Sequence, residues 1–254
     1  SSSVMSMRIV LRARVYWKHK EFQTIMSAIA SNLQAVRARI AKAANDAGRS
    51  PEEVELLAVS KTWPADCVIA AARAGQRAFG ENYVPEGVDK VLATVDLDLT
   101  WHFIGPLQSN KTRPVAEHFS WVHSLERLKI AERLSAQRPA DLPPLQVCVQ
   151  VNVSGEASKS GCAPSEALPL CQAIAALPRL TLRGLMAIPE PADDFAAQRA
   201  PFRRLREIFE QVRATGIPLD TLSMGMSHDL EAAVAEGATI VRIGTAIFGE
   251  RNYR

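Results

Sequence analysis

Between Leu56 and Gly244 eight short apolar runs alternate strictly with helical stretches, and few folds accept that pattern. The runs span Leu56–Lys61, Arg77–Glu81, Trp101–Gly105, Trp121–Ser124, Leu145–Val153, Leu182–Ile188, Thr221–Gly225 and Thr239–Gly244. Each is short, rich in compact apolar residues and bounded by turn residues, as buried strands are. The stretches between them, at about 64–74, 83–95, 109–118, 126–137, 164–177, 193–215 and 228–236, read as helices, with Gly75 and Gly216 as stops. Such alternation implies a parallel sheet, and eight strands close a barrel. An open doubly wound sheet is the alternative, but no Gly-x-Gly-x-x-Gly follows the first strand. The expected fold is therefore α/β, a single (β/α)8 barrel, which takes roughly 250 residues of this 254-residue chain.

The barrel is expected to occupy residues 26–254. Ile29, Leu33, Val36 and Ile40 recur at helical spacing from Met26 to Ala47, and Gly48 ends that helix. Residues 1–25 show no comparable period and read as an extension outside the domain, disordered or non-native; an organellar presequence is the weaker alternative, and no secretory apolar segment is present. This extension also explains the formal charge of +3. It holds five of the 30 basic residues (Arg8, Arg12, Arg14, Lys18, Lys20) against Glu21, leaving 25 bases and 26 acids in the remainder. No basic footprint for nucleic acid survives. No apolar run approaches the ~20 residues that span a bilayer. Cys67, Cys148, Cys162 and Cys171 lack the spacing of a disulfide framework or zinc site and read as reduced thiols of a cytoplasmic protein.

Three features carry chemistry. In the first strand Leu57, Val59 and Lys61 share a face, because side chains alternate. An ammonium ending a buried apolar face is costly. It either snorkels out of the strand end or serves as a nucleophile toward carbonyls. The loops after strands 7 and 8, Ser223-Met224-Gly225-Met226-Ser227 and Gly244-Thr245-Ala246-Ile247-Phe248-Gly249, combine glycine with small hydroxyl residues. Phosphate sites recur at those two loops of such barrels. Arg242 sits inside an apolar strand on the same face as Gly244 and needs an acceptor, either a ligand or a strand carboxylate. A lysine nucleophile, a phosphate anchor and a buried arginine together suggest pyridoxal 5'-phosphate (PLP). The lysine would form a Schiff base, and an arginine at the ring nitrogen would weaken the cofactor as an electron sink.

The segments Leu56–Thr62, Phe79–Val84, Trp101–Lys111, Leu222–Ser227 and Val241–Gly249 closely resemble the pyridoxal phosphate homeostasis protein family, the YggS/PROSC type. The resemblance covers roughly Met26 to the C-terminus and leaves residues 1–25 outside it. It implies a fold-type III PLP barrel like the N-terminal domain of alanine racemase, and a role in buffering and delivering PLP without established turnover. By matching motif, Lys61 is the Schiff-base lysine, Ser223, Arg242, Gly244 and Thr245 are the anchors, and Asn82 lines the pocket. Apo PLP-dependent enzymes are the implied partners.

The alternative is a PLP-dependent racemase-like enzyme. Barrel racemases of this type take one base from a second, β-rich domain, and the nine residues after Thr245 leave no room for it here; a carrier, and a monomer, are the expectations. A phosphate-binding sugar-type enzyme would leave Lys61 and Arg242 unexplained. Of the remaining candidates, His102 reads as a core histidine or a cofactor contact. Lys111 and Lys159 read as surface lysines or contacts to a second anion. Asp229 reads as a helix cap, and Trp101 and Phe103 as packing. His118 and His123 show no metal-ligand spacing.

Overall fold

The computed structural model describes residues 2–156 and 160–250. Eight parallel strands form a closed barrel in sequence order, β1-β2-β3-β4-β5-β6-β7-β8. They are β1 (Glu55–Val59), β2 (Ala78–Glu81), β3 (Thr100–Phe103), β4 (Trp121–Leu125), β5 (Leu145–Gln150), β6 (Leu180–Met186), β7 (Thr221–Ser223) and β8 (Ile240–Ile243). Closure is made by β1 against β8, with Leu57 opposite Arg242. Helices α2 (Ala65–Arg73), α3 (Val84–Ala93), α4 (Thr112–His118), α5 (Leu128–Gln137), α6 (Pro164–Ala175), α7 (Phe195–Arg213) and α8 (Leu230–Ala235) fall between consecutive strands. Each strand and helix lies where the alternation expects it, with ends shifted by a few residues.

Helix α1 (Ser2–Asp46) packs between α8 and α2. It takes the place in the outer ring that the short turn α9 (Thr245–Phe248), not foreseen in the sequence, cannot fill. Asn32 Nδ2 donates to the Ile247 carbonyl at 2.9 Å, and Arg39 pairs with Glu231 at 2.6 Å, tying α1 to α9 and α8. Its backbone is helical well before the expected start at Met26, so the segment set aside as an extension runs straight into the packed helix. No glycine or proline occurs before Gly48, and a nucleated helix propagates at little cost through such a sequence. Ile29 is the first buried residue of the described side chains.

Alternation sorts the strand side chains into two layers. Leu56, Ala58, Val147, Val149, Val151 and Val153 face the helices. Leu57, Val59, Ala78, Cys148, Met186 and Ile240 fill the barrel interior. The face shared by Leu57 and Val59 leads to Lys61 at the end of β1, where the site begins. All four cysteines are free and buried, and burial raises the Cys148 thiol furthest.

Candidate cofactor-binding site

The C-terminal ends of the strands surround a cavity of about 390 Å3, within the roughly 300–1,000 Å3 of small-molecule sites. Lys61 enters it from β1, Asn82 from the end of β2, and Arg242, Gly244 and Thr245 from β8 and the turn after it. Ile104, Ile188 and Trp63 give the walls an apolar character, and Trp63 stacks on Phe248 at 6.2 Å between ring centroids. Among the described residues no carboxylate lines the cavity; its charged side chains are Lys61 and Arg242, with His228 beside them. Cations in a low-dielectric recess focus a positive field, which selects an anion.

Arg242 is 4% exposed. Burial lowers its pKa to about 10, an effect opposed by Asp229, so it stays charged at neutral pH. Its Nη2 donates to the Ala187 carbonyl at 2.9 Å and its Nη1 to Ser223 Oγ at 2.7 Å. A guanidinium has no acceptor, so Ser223 accepts there, and its Oγ also lies 2.7 Å from His123 Nδ1. His123 Nε2 in turn lies in hydrogen-bond contact with His102 Nδ1 at 2.8 Å. A hydrogen-bonded chain thereby runs from one fixed cation through a serine to two histidines in the barrel interior. His102 Nε2 has no partner among the described residues, and its ring stacks on Trp121 at 5.1 Å. Burial lowers the His102 pKa to about 3; burial, His102 and Arg242 hold His123 well below its ordinary value.

The expected anchors therefore divide. Gly244, Thr245, Asn82, Arg242 and Lys61 line the cavity, whereas Ser223 is fully buried beneath it with its hydroxyl committed to Arg242 and His123. Ser227, four residues further along the same loop, is the hydroxyl that reaches the cavity. The reason is the pleat: Ser223 still belongs to β7 and points into the barrel interior, while Ser227 lies beyond the strand end. Arg242 finds its acceptors in a hydroxyl and a carbonyl, and no strand carboxylate pairs with it among the described residues. His102 is a core histidine in contact with His123. His118 Nδ1 lies 2.9 Å from the Pro114 carbonyl, and no metal-binding cluster occurs among the described residues. Trp101 packs on Phe79, and Phe103 on Phe119. Lys111 is exposed and away from the cavity lining, and Lys159 lies outside the described residues.

The residues fit a phosphorylated aldehyde. Gly244 brings its backbone to the rim, where an added Cβ would meet the Val59 carbonyl oxygen at 3.0 Å. Asn82 Oδ1 is a buried acceptor with no partner among the described residues, available to a ligand donor. Gly105 holds that corner, since a Cβ there would overlap the Asn82 backbone.

Residues 31–252 match the family model for the N-terminal domain of alanine racemase. The pyridoxal phosphate homeostasis protein of Pseudomonas aeruginosa is 64% identical over 228 residues, covering 90% of this chain and 98% of that protein. That of Escherichia coli K12 is 56% identical over 231 residues, covering 90% and 99%. The chain belongs to the pyridoxal phosphate homeostasis protein family. Among solved structures, PipY of Synechococcus elongatus, determined with PLP bound, superposes with a TM-score of 0.76 at 38% identity, covering 87% of this chain and all of PipY. Alanine racemase of Corynebacterium glutamicum shares the fold alone, with a TM-score of 0.67 at 18% identity over 89% of this chain and 62% of that one. Of the segments resembling this family, those ending at Thr62, Val84, Ser227 and Gly249 each supply cavity residues, while Trp101–Lys111 reaches the cavity through Ile104.

Proposed function

We propose that this protein binds PLP reversibly in the strand-end cavity, covalently attached to Lys61, and buffers and delivers it to apo PLP-dependent enzymes. The observation that carries the proposal is a cofactor-sized cavity whose charged side chains among the described residues are Lys61 and Arg242, with no carboxylate among them. Relatives named for PLP homeostasis and a neighbour determined with PLP support it. Bound PLP supplies an aldehyde, which a lysine amine captures with loss of one water. Lys61 would make that bond, Arg242 would face the ring nitrogen, and Ser227, Gly244 and Thr245 would hold the phosphate. An arginine held by Ser223 and the Ala187 carbonyl stays a fixed donor and keeps the ring nitrogen unprotonated, which suits storage better than carbanion chemistry.

Borohydride treatment of the PLP-loaded protein followed by peptide mapping tests the centre of the proposal: the adduct is expected on Lys61, and an adduct confined to another lysine would sink it. Loss of the hydroxyl in Thr245→Val is expected to weaken PLP binding about tenfold, a hydrogen bond to a charged group contributing ~1.5–3 kcal/mol. Binding of unphosphorylated pyridoxal should change little; equal losses would put the phosphate elsewhere.

His228 favours testing a second function, since its imidazole lines the same cavity as Lys61. Cα proton exchange in a racemase-like reaction needs acid–base groups on both faces of the substrate. Incubation with L-alanine in deuterated water decides: no rapid Cα deuteration is expected, and stereorandom uptake abolished by both Lys61→Ala and His228→Asn would establish the racemase.

A further inference from the structure

On the side of Lys61 facing α3 lies an ion cluster that the cavity does not use. Lys90 is 4% exposed and donates to Glu81 Oε1 at 2.6 Å, to Glu86 Oε1 at 2.7 Å and to the Ser60 carbonyl at 2.7 Å. Ser60 Oγ donates to the same Glu81 oxygen at 2.7 Å, and the Thr62 N–H donates to Glu86 Oε1. The two peptide units flanking Lys61 are thus both gripped, one through its carbonyl by Lys90 and the other through its N–H by Glu86. Glu86 and Lys90 stand one turn apart on α3. Gly87 lets that turn approach β2, for a Cβ there would come within 2.7 Å of Phe119 and 3.2 Å of Glu81.

The gripped backbone is unusual. Thr62 has φ +67°, and among the described non-glycine residues only Arg179 shares a positive φ. A β-branched residue in that region is a conformational outlier, and it persists only where its surroundings over-determine it. A buried ion pair by itself is poor support for a fold, because desolvation cancels most of the attraction. Its hydrogen bonds to both neighbours of Lys61 give this cluster a more specific use.

We propose that Glu86 and Lys90 are positioning residues that hold Ser60–Thr62 in its strained conformation and so fix the backbone from which Lys61 enters the cavity. The inference rests on Lys61 being the residue that captures PLP. In the cofactor-free protein the Thr62 amide is expected to be protected from hydrogen exchange, and Glu86→Ala to accelerate its exchange at least tenfold while amides of β5 stay protected. In the same variant the borohydride-trapped adduct on Lys61 should form about tenfold more slowly. Glu86→Gln keeps an oxygen acceptor for Thr62 and should restore most of both properties. Glu86→Asp, one methylene shorter, should behave like Glu86→Ala and serves if the alanine variant fails to fold. Thr62→Gly in the Glu86→Ala background removes the strain and should recover part of the trapping rate. If Glu86→Ala and Glu86→Asp trap PLP at the wild-type rate with Thr62 still protected, the clamp is overturned even though Lys61 carries the adduct. If the wild-type protein yields no Lys61 adduct, it is the functional proposal that fails, and the amide exchange alone then judges the clamp.

Discussion

The layer between strands and helices and the space inside the strands are both buried, yet they are filled differently. Outside the strands Leu33, Phe103, Phe119, Leu134, Leu145 and Phe202 belong to one continuous apolar cluster. Inside, a much smaller apolar set around Leu57, Cys148 and Met186 shares the volume with Arg242, Ser223, His123 and His102. Buried polar groups cost free energy unless each finds a partner, so the interior gives up some of the stability that the outer layer secures. In return it gains a guanidinium held in one orientation beneath a cavity. The difference teaches that the fold is held largely from outside the barrel and the chemistry is arranged from within it.

The comparison breaks first, if it breaks, at Phe202. Phe202→Ala removes a fully buried ring from the outer layer and should lower unfolding stability by about 3–5 kcal/mol. PLP affinity of the folded fraction should stay within about twofold. Urea unfolding and a spectroscopic titration measure the two; a parallel fall in affinity would mean that the layers are not separable.

Ser223→Ala probes the interior. It strips Arg242 Nη1 of its acceptor and leaves His123 Nδ1 without its partner. The expected cost is about 1–3 kcal/mol in stability, smaller than for Phe202→Ala. The accompanying loss of PLP affinity should be about tenfold, because Arg242 is freed to turn. An unchanged affinity would reduce the interior chain to a folding element.

The smallest effect sharpens the comparison through pH. His102 and His123 are held neutral by burial, with folded-state pKa values below the unfolded value. In acid the unfolded chain therefore binds protons that the folded one refuses. The stability these two groups contribute is complete above pH ~6.5 and falls as pH drops from there toward the His102 value of about 3. Each contributes a slope of roughly 1.4 kcal/mol per pH unit. His102→Phe should lower the slope of stability against pH between pH 6 and 4 by about one proton. Urea titrations at several pH values measure this, and an unchanged slope would show that His102 is already protonated in the fold.

Much of the molecule was legible in one dimension because its signals are local. Strand and helix periods fixed the order of elements, and the count of eight implied closure. Side-chain alternation placed Leu57, Val59 and Lys61, and likewise Arg242 and Gly244, on one interior face. Asn82 and Thr245 came from resemblance and also line the cavity. Ser223 lies beneath the cavity and not in its lining, a distinction the sequence does not carry, because a serine at a strand end reads the same whether it faces the cavity or the interior one layer below. Ser227 and His228 lay in or beside a loop already singled out, but nothing in their spacing sets them apart from their neighbours. The helical start at Ser2 was missed because the segment lacks an apolar period, although nothing in it stops a helix.

What the sequence determined by itself was thus the barrel, the strand-end location of the candidate site, and the lysine and arginine that line its cavity. Each follows from period, order or residue type, which need no knowledge of distant partners. The tertiary structure alone decided which groups those two cations meet. Ser223 receives Arg242 and contacts a histidine 100 positions earlier, and Glu86 binds the amide next to Lys61 from 24 positions away. A hydrogen bond depends on distances of about 3 Å, and only closure of the barrel brings such remote residues that near.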